Sequence, residues 1–256
     1  MKILMLLATT GCIATQDERT TFGSFGAEAE DDTDFTETET IVGGPDDDPD
    51  GDGFSNADEQ EAGTNPNYEY SHPYTGSYQI GYCRDEPNPT GPTKSQRYSD
   101  GAGTTYDYFS YQRGDVPENF TLPDQYGEEL DLYSFCGTHV MLVVSAGWCG
   151  PCRAEAAGLQ DVADAYPEAQ IIQVLAQDNG GNPPNQAFLQ EWASQYGFET
   201  IAVIGPSTAP TTYAQYFSSV SAQFEDDGYI PTIFHLDTDM TILSADEGVS
   251  TPDTWM

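Results

Sequence analysis

Basic residues are nearly missing from this chain: seven Lys and Arg stand against 43 Asp and Glu, a formal charge of −36. A surface this acidic repels phosphate backbones and anionic headgroups, which makes nucleic acid and an anionic lipid surface poor partners. From Val116 to the end Arg153 is the only Lys or Arg, so almost no carboxylate there can find a basic side chain. Such lopsided acidity suits salty surroundings or divalent cations. Long apolar runs are missing too: Ile3-Leu4-Met5-Leu6-Leu7-Ala8 at the N-terminus is too short to cross a bilayer. Histidine is scarce, and His72, His139 and His235 show no ligand spacing. With no second CxxC, this argues against a closed four-ligand zinc site. No internal repeat is evident. Five cysteines remain, and they carry most of the information.

Trp148-Cys149-Gly150-Pro151-Cys152 follows Val140-Met141-Leu142-Val143-Val144, an apolar run that reads as a buried strand. After it, Arg153 to Tyr166 carries Leu159, Val162 and Ala163 at helical spacing. The thiols therefore sit at a strand-to-helix junction, with the helix beginning at about Cys149. A helix N-terminus offers partial positive charge and unpaired N–H groups, both of which favour a thiolate. Cys149 is the expected nucleophile and Cys152, one turn further in, the resolving thiol. The rival is a purely structural CxxC disulfide, and the Trp before the motif and the Gly-Pro within it argue against that. Further on, strands are expected at 170–176, 201–204, 232–236 and 240–243, with helices at 184–196 and 211–217. Asp237-Thr238-Asp239 marks a hairpin. The pattern predicts an α/β fold: a mixed central sheet with helices on both faces.

These residues resemble the thioredoxin superfamily. Asn119-Phe120-Thr121-Leu122-Pro123-Asp124-Gln125-Tyr126-Gly127 is similar to the lead-in of its TlpA/ResA-like, redoxin-type branch, and Cys152-Arg153-Ala154-Glu155 to that branch's continuation after the second cysteine. Tyr229-Ile230-Pro231-Thr232 resembles the thioredoxin loop whose proline is cis and faces the active cysteines. The resemblance covers 116–256. It implies a thioredoxin-like fold and a thiol-disulfide oxidoreductase needing no cofactor beyond its redox-active disulfide. It also implies a disulfide-containing protein substrate, an unidentified membrane or periplasmic electron donor, and substrate contacts at Trp148, Gly150, Pro151, Ile230 and Pro231. Ile230 would offer backbone hydrogen bonds to an extended segment, and Pro231 would keep metal away from the thiols. Gly150-Pro151 matches thioredoxin, which implies a potential near about −270 mV.

The chain also departs from that family. Val143 stands where thioredoxins carry a buried Asp, so the proton of Cys152 must leave by water or another acid. Glu155 is a candidate, although a solvated helix face is the commoner fate of such a residue. Ala156 and Ala157 replace the proline expected soon after. Peroxiredoxins resemble this chain in the lead-in but need a Thr three residues before the reactive cysteine and a distant Arg. Ala146 stands there and no Arg follows Arg153, which disfavours a thiol peroxidase. A calcium-stabilised cell-surface binding module on a thioredoxin fold is the rival from another class. Thr251-Pro252-Asp253-Thr254-Trp255-Met256 reads as a helix start with no helix after it. Either the chain continues past Met256, or the N-terminal extension covers the sheet face that the family's last helix would cover.

Lys2, the short apolar run and Thr9-Thr10-Gly11-Cys12 make an export signal. Cysteine after Gly11 resembles the bacterial lipoprotein box, with leucine's usual place taken by Thr9. The resemblance implies a signal peptide over 1–11, lipidation of Cys12, and a membrane-anchored protein of the bacterial cell envelope facing the periplasm or cell surface. Disulfides persist there. Ile13 gives no inner-membrane retention signal, which favours the outer membrane. Residues 12–45 are polar and acidic and are expected to be a disordered tether. Over 46–66, Asp48, Asp50 and Asp52 alternate, Gly53 permits a turn, and Glu59 closes a twelve-residue loop. That spacing suits calcium, with the Phe54 carbonyl and Asn56 as further ligands. With Gly63-Thr64-Asn65-Pro66 the stretch also resembles thrombospondin type 3 and related extracellular calcium repeats. Residues 67–115 are rich in Tyr, Gly and Pro, and alternation at Tyr78–Tyr82 suggests a small irregular or β extension. Cys83 here and Cys136 beyond are the two unassigned cysteines. They form a structural bridge worth about 2–4 kcal/mol, or one of them is a third redox thiol that takes over the active-site disulfide.

Overall fold

The computed structural model describes residues 41–81, 83, 86–99, 105–205 and 230–247. The signal segment, Cys12, most of the expected tether, the helix expected at 211–217, Tyr229 and the C-terminal tail lie outside the described residues.

Strand β5 (His139–Ser145) is the centre of a five-stranded sheet. Its sequence, HVMLVVS, is an almost unbroken apolar run, as a strand covered on both faces requires. Parallel to it run β6 (Ala169–Leu175) and then β7 (Ala202–Ile204); on its other side lies β8 (Thr232–Leu236), antiparallel to it, and then β9 (Ile242–Glu247), antiparallel to β8. Helices α2 (Gly150–Ala165) and α3 (Gln186–Tyr196) make the two crossovers. With the order β7-β6-β5-β8-β9 this is the mixed thioredoxin layout. A seven-residue helix, α1 (Asn56–Ala62), lies ahead of the sheet.

Alternate side chains of the strands face opposite ways. Met141, Val143, Ile171, Leu175, Val203 and Ile233 meet Leu159, Leu189 and Trp192 of the two long helices. The opposite face, with Val140, Leu142, Val144, Ile172, Val174, Phe234 and Leu236, packs against Tyr78, Tyr111, Leu130, Leu132, Tyr133 and Phe135. Tyr70, Tyr74, Ile80 and Cys83 close over these. The N-terminal extension therefore covers that face. Each anchoring ring brings its hydroxyl to a partner, as buried tyrosine requires: Tyr68 donates to the Tyr133 carbonyl (3.3 Å), Tyr78 to Asp124 (2.7 Å), and Tyr74 pairs with the Ser134 hydroxyl (2.9 Å). Gly81 donates its N–H to the Ser134 carbonyl at 2.9 Å. A Cβ at Gly81 would lie 2.1 Å from the Cys136 carbonyl oxygen, so only glycine lets the two backbones meet.

Three local expectations are corrected. The alternation over Tyr78–Gly81 serves this docking and forms no strand; the extension's β structure is a hairpin of β1 (Lys94–Ser99) and β2 (Thr105–Ser110). A second hairpin, β3 (Thr121–Pro123) with β4 (Glu129–Asp131), occupies the lead-in. β9 starts at Ile242 because Met240 takes a left-handed conformation (φ 66°) to close the turn between Asp237 and Thr241. Finally, 41–45 is packed against the acidic loop: Asn56 Nδ2 donates to the carbonyls of Val42 (3.1 Å) and Gly44 (2.7 Å).

His139 Nδ1 lies 3.5 Å from Asp237 Oδ1, a contact that is an ion pair only when the imidazole is protonated, so it compensates little of a charge of −36. Self-repulsion on this scale weakens the compact state, and screening shortens from about 10 Å at 0.1 M to about 3 Å at 1 M salt. The melting temperature is expected to rise across that range of NaCl; a flat or falling melt would show that the acidic surface is not a net burden on the fold.

Candidate functional site

Cys149 is the N-cap of α2, with extended backbone (φ −79°, ψ 115°), and Pro151 sits in the first turn, where its missing N–H costs nothing. The Cys152 N–H donates to Cys149 Sγ at 3.2 Å, so one free donor of the helix start is aimed at the sulfur. The two cysteines are joined in a disulfide with Cα atoms 5.3 Å apart. Cys152 is fully buried and Cys149 nearly so. Access is from the motif side: Trp148 is 53% exposed, and a Cβ on Gly150 would meet nothing within 4 Å. The Trp148 indole N–H donates to Gln177 Oε1 at 2.8 Å. Ile230-Pro231 is a cis peptide, and the Ile230 carbonyl oxygen lies 3.5 Å from Cys149 Sγ. The structure thus brings Trp148, Cys149, Gly150, Pro151, Cys152, Ile230 and Pro231 into one place at the C-terminal edge of β5, where open α/β sheets put their sites.

Glu155 departs from the solvated face expected for it. It is 3% exposed, one turn after Cys152 on the buried stripe formed by Cys152, Glu155, Ala156, Leu159 and Ala163. Neither carboxylate oxygen has a hydrogen-bond partner. Burial pushes its acid up to about 8. Val143 is buried against the helices, so no acid replaces the thioredoxin Asp at that position.

Cys83 and Cys136 are also joined, with Cα atoms 5.2 Å apart, just before β5, whereas Cys149 lies just after it. Seven strand residues at about 3.3 Å each separate the two disulfides by roughly 20 Å. Direct exchange needs sulfurs in contact, so this fold provides no relay between them.

In the acidic loop, carboxylate oxygens of Asp48, Asp50 and Asp52 all lie within 4.8 Å of one another. Asn56 and Glu59 are fully buried beneath them. Both oxygens of Asp50, Oδ2 of Asp52, Oδ1 of Asn56 and Oε2 of Glu59 are buried with no hydrogen-bond partner. Desolvation first, and then the charges of Asp52 and Asp50, push Glu59 up to about 7; desolvation also raises Asp50 and Asp52. Phe54 donates its N–H to Asp52 Oδ1 at 2.9 Å and stacks its ring on His72 at 5.3 Å. The clustered carboxylates of Asp48, Asp50 and Asp52, with buried unpartnered oxygens on Asn56 and Glu59, are of the hard-oxygen type that a divalent cation takes.

The AhpC/TSA family pattern matches residues 114–244, just over half of the chain. The chain belongs to the AhpC/TSA family. It is accordingly an oxidoreductase of the thioredoxin type. The bacterial TSP3 repeat matches residues 48–67, the acidic loop and its exit. No curated protein matches the chain. Among solved structures it is similar to a secreted Mycobacterium tuberculosis disulfide oxidoreductase homologous to E. coli DsbE (19% identity over 52% of this chain and 85% of that one, TM-score 0.40). It is also similar to a putative thiol:disulfide interchange protein DsbE from Chlorobium tepidum (21%, 57% and 92%, 0.42) and to a thiol peroxidase from Chromobacterium violaceum (16%, 56% and 79%, 0.40). Likenesses this distant do not decide the chemistry, which falls to this AhpC/TSA chain's own residues. Ala146, three before Cys149, is buried and offers no hydroxyl to a peroxide. Sequence reasoning missed the polar loop after β6, where Gln177 and Asn179 reach back to the motif. Its only signal was position, at the same end of the sheet as Cys149.

Proposed function

We propose that this AhpC/TSA protein reduces protein disulfides outside the cytoplasm through Cys149 and Cys152, with Glu155 as the proton acceptor of Cys152. The observation that carries this reading is the paired, buried dithiol at the start of α2, with an unpartnered buried carboxyl one turn beyond. Cys149 thiolate attacks a substrate disulfide; its sulfur bonds to one substrate sulfur and the other leaves as thiolate. Cys152 then gives its proton to the Glu155 carboxylate and attacks Cys149 Sγ. That closes the protein disulfide and releases the second substrate thiolate, which takes the proton back. Two electrons pass to the substrate, and an external dithiol donor restores the enzyme. An exposed Trp148 and the Ile230 carbonyl beside the sulfur suit an extended polypeptide. The export signal and Cys12 support a lipid-anchored place in the bacterial envelope, and Cys83–Cys136 serves as a staple for the extension. The test is insulin reduction with dithiothreitol beside peroxide consumption with the same donor. Insulin turnover without peroxide turnover is expected; the reverse would make the protein a peroxidase.

We also propose that Asp48, Asp50, Asp52, Asn56, Glu59 and the Phe54 carbonyl hold calcium, with an affinity of roughly 10⁻⁴ to 10⁻³ M as in extracellular modules. Bound calcium would neutralise the converging carboxylates. At about 10 to 100 times its dissociation constant it adds about 1.4–2.7 kcal/mol, a rise in melting temperature of about 3–10 °C. Glu59→Gln is expected to abolish that rise. A calcium-insensitive wild-type melt, with no binding heat by calorimetry, would refute the site.

A further inference from the structure

We propose that Arg153 is the positioning residue of the redox turn, its planar guanidinium fixing Gly147-Trp148-Cys149 while its charge stays available to the Cys149 thiolate. The inference rests on the dithiol reading. Arg153 follows the resolving cysteine, and its backbone N–H donates to the Cys149 carbonyl at 3.2 Å, one helical turn below the nucleophile. Its Nε donates to the carbonyl of Gly147, two residues before Cys149, at 2.7 Å. Its Nη2 donates to Asn179 Oδ1 in the loop after β6. The guanidinium lies over the Trp192 ring of α3, 5.4 Å from its centre. One side chain thus joins the turn before the nucleophile, the loop after β6 and helix α3.

What it grips is tightly seated. The Gly147 N–H donates to the Gln177 carbonyl at 2.7 Å, and Trp148 is tied to the Gln177 side chain. A Cβ on Gly147 would fall 2.6 Å from Phe188 and 2.8–2.9 Å from the backbone of Asp178 and Asn179. Trp192 is held in turn by Gln173 (2.7 Å), whose amide donates to Ser145 (3.2 Å) at the end of β5. A planar fork with fixed N–H directions can serve Gly147, Asn179 and an aromatic face together; an ammonium cannot. All three partners are neutral, and among the described residues Arg153 forms no ion pair with a carboxylate, in a chain that carries 43 of them. The positive charge, on a residue one helical turn from Cys149, is therefore not cancelled by a carboxylate contact.

The test compares the full wild-type chain with Arg153→Lys and Arg153→Gln. It reads the pH dependence of Cys149 alkylation in reduced protein, kcat and KM for insulin, and the melting temperature. Lys is expected to keep the alkylation midpoint, because it keeps the charge, yet to lower kcat about tenfold with KM nearly unchanged, because the turn is no longer held. Its alkylation plateau should differ from wild type by about threefold or more. Gln is expected to lose kcat to at least the same degree and to move the midpoint upward. Full rescue by Lys would reduce the role to charge and overturn the positioning claim. Variants that change only the melting temperature would overturn it as well. Alkylation needs no protein substrate, so a wild type that fails on insulin would sink the reductase reading while the alkylation plateaus still decided the role of Arg153.

Discussion

Cys149→Ser is expected to bring insulin reduction down to the background of the donor alone, a loss of about 10³-fold or more, because a hydroxyl at the helix start cannot replace the thiolate. Cys152→Ser is expected to lose multiple turnover to a similar degree but to fail differently. Its Cys149 still attacks, so a mixed disulfide accumulates and is visible by mass as protein plus one substrate chain. The geometry explains the asymmetry. Cys152 is fully buried and held within bonding distance of Cys149, so resolution in the wild type is intramolecular, with the large effective concentration that fixed proximity gives. An outside thiol must reach the adduct by collision. Equal loss in both variants with no trapped adduct would mean that Cys149 is not the attacking sulfur. Full activity in Cys152→Ser would point to a one-cysteine mechanism, such as a peroxidase, despite the buried Ala146.

Sequence patterns were most legible where one local rule decided the outcome. A short, β-branched-rich apolar run reads as a covered strand, and 140–144 became the middle of the sheet. A Cys-Gly-Pro-Cys after it can only start a helix, and Cys149 is its N-cap. Legibility failed where tertiary contact overrode a local pattern. Tyr78–Gly81 alternates like a strand, yet Tyr78 and Ile80 alternate in order to dock on the sheet face. Glu155 looks like a surface acid because helix position alone says nothing about what lies over it; only the packed structure shows both of its oxygens without partners. The grip of Arg153 on Gly147 and Asn179 joins residues from separate elements, and no spacing rule connects them. The acidic loop lies between these cases: alternation and the closing glutamate are local, whereas the burial of Asn56 depends on the chain folding back over 42–44.

Glu155→Gln is expected to slow resolution of the mixed disulfide about 10²-fold in a single turnover, while initial attack by Cys149 stays close to wild type. An acid pushed up to about 8 is well matched to accept a proton from a thiol near neutral pH, so the wild-type resolution rate should rise through that pH and the Gln rate should not follow it. The same burial has a price in stability, with a definite sign. Folded Glu155 titrates near 8 and unfolded Glu near 4.5, so the folded chain holds its proton more tightly. Its contribution is fully present below the unfolded value and is lost as pH rises through the folded one. Complete ionisation costs on the order of 5 kcal/mol. The wild type should therefore lose more stability than Glu155→Gln in denaturant titrations between pH 4.5 and about 8, and Gln should be the more stable protein at the upper end. Glu59, also raised, is common to both proteins and cancels in the difference. A variant that resolves slowly but shows no relative gain in stability would place the Glu155 carboxyl in water and leave its activity effect to geometry. A variant that gains stability and still resolves at the wild-type rate would hand the proton of Cys152 to solvent. Only the two effects together support a carboxyl held dry at a cost to the fold because the second thiol needs it.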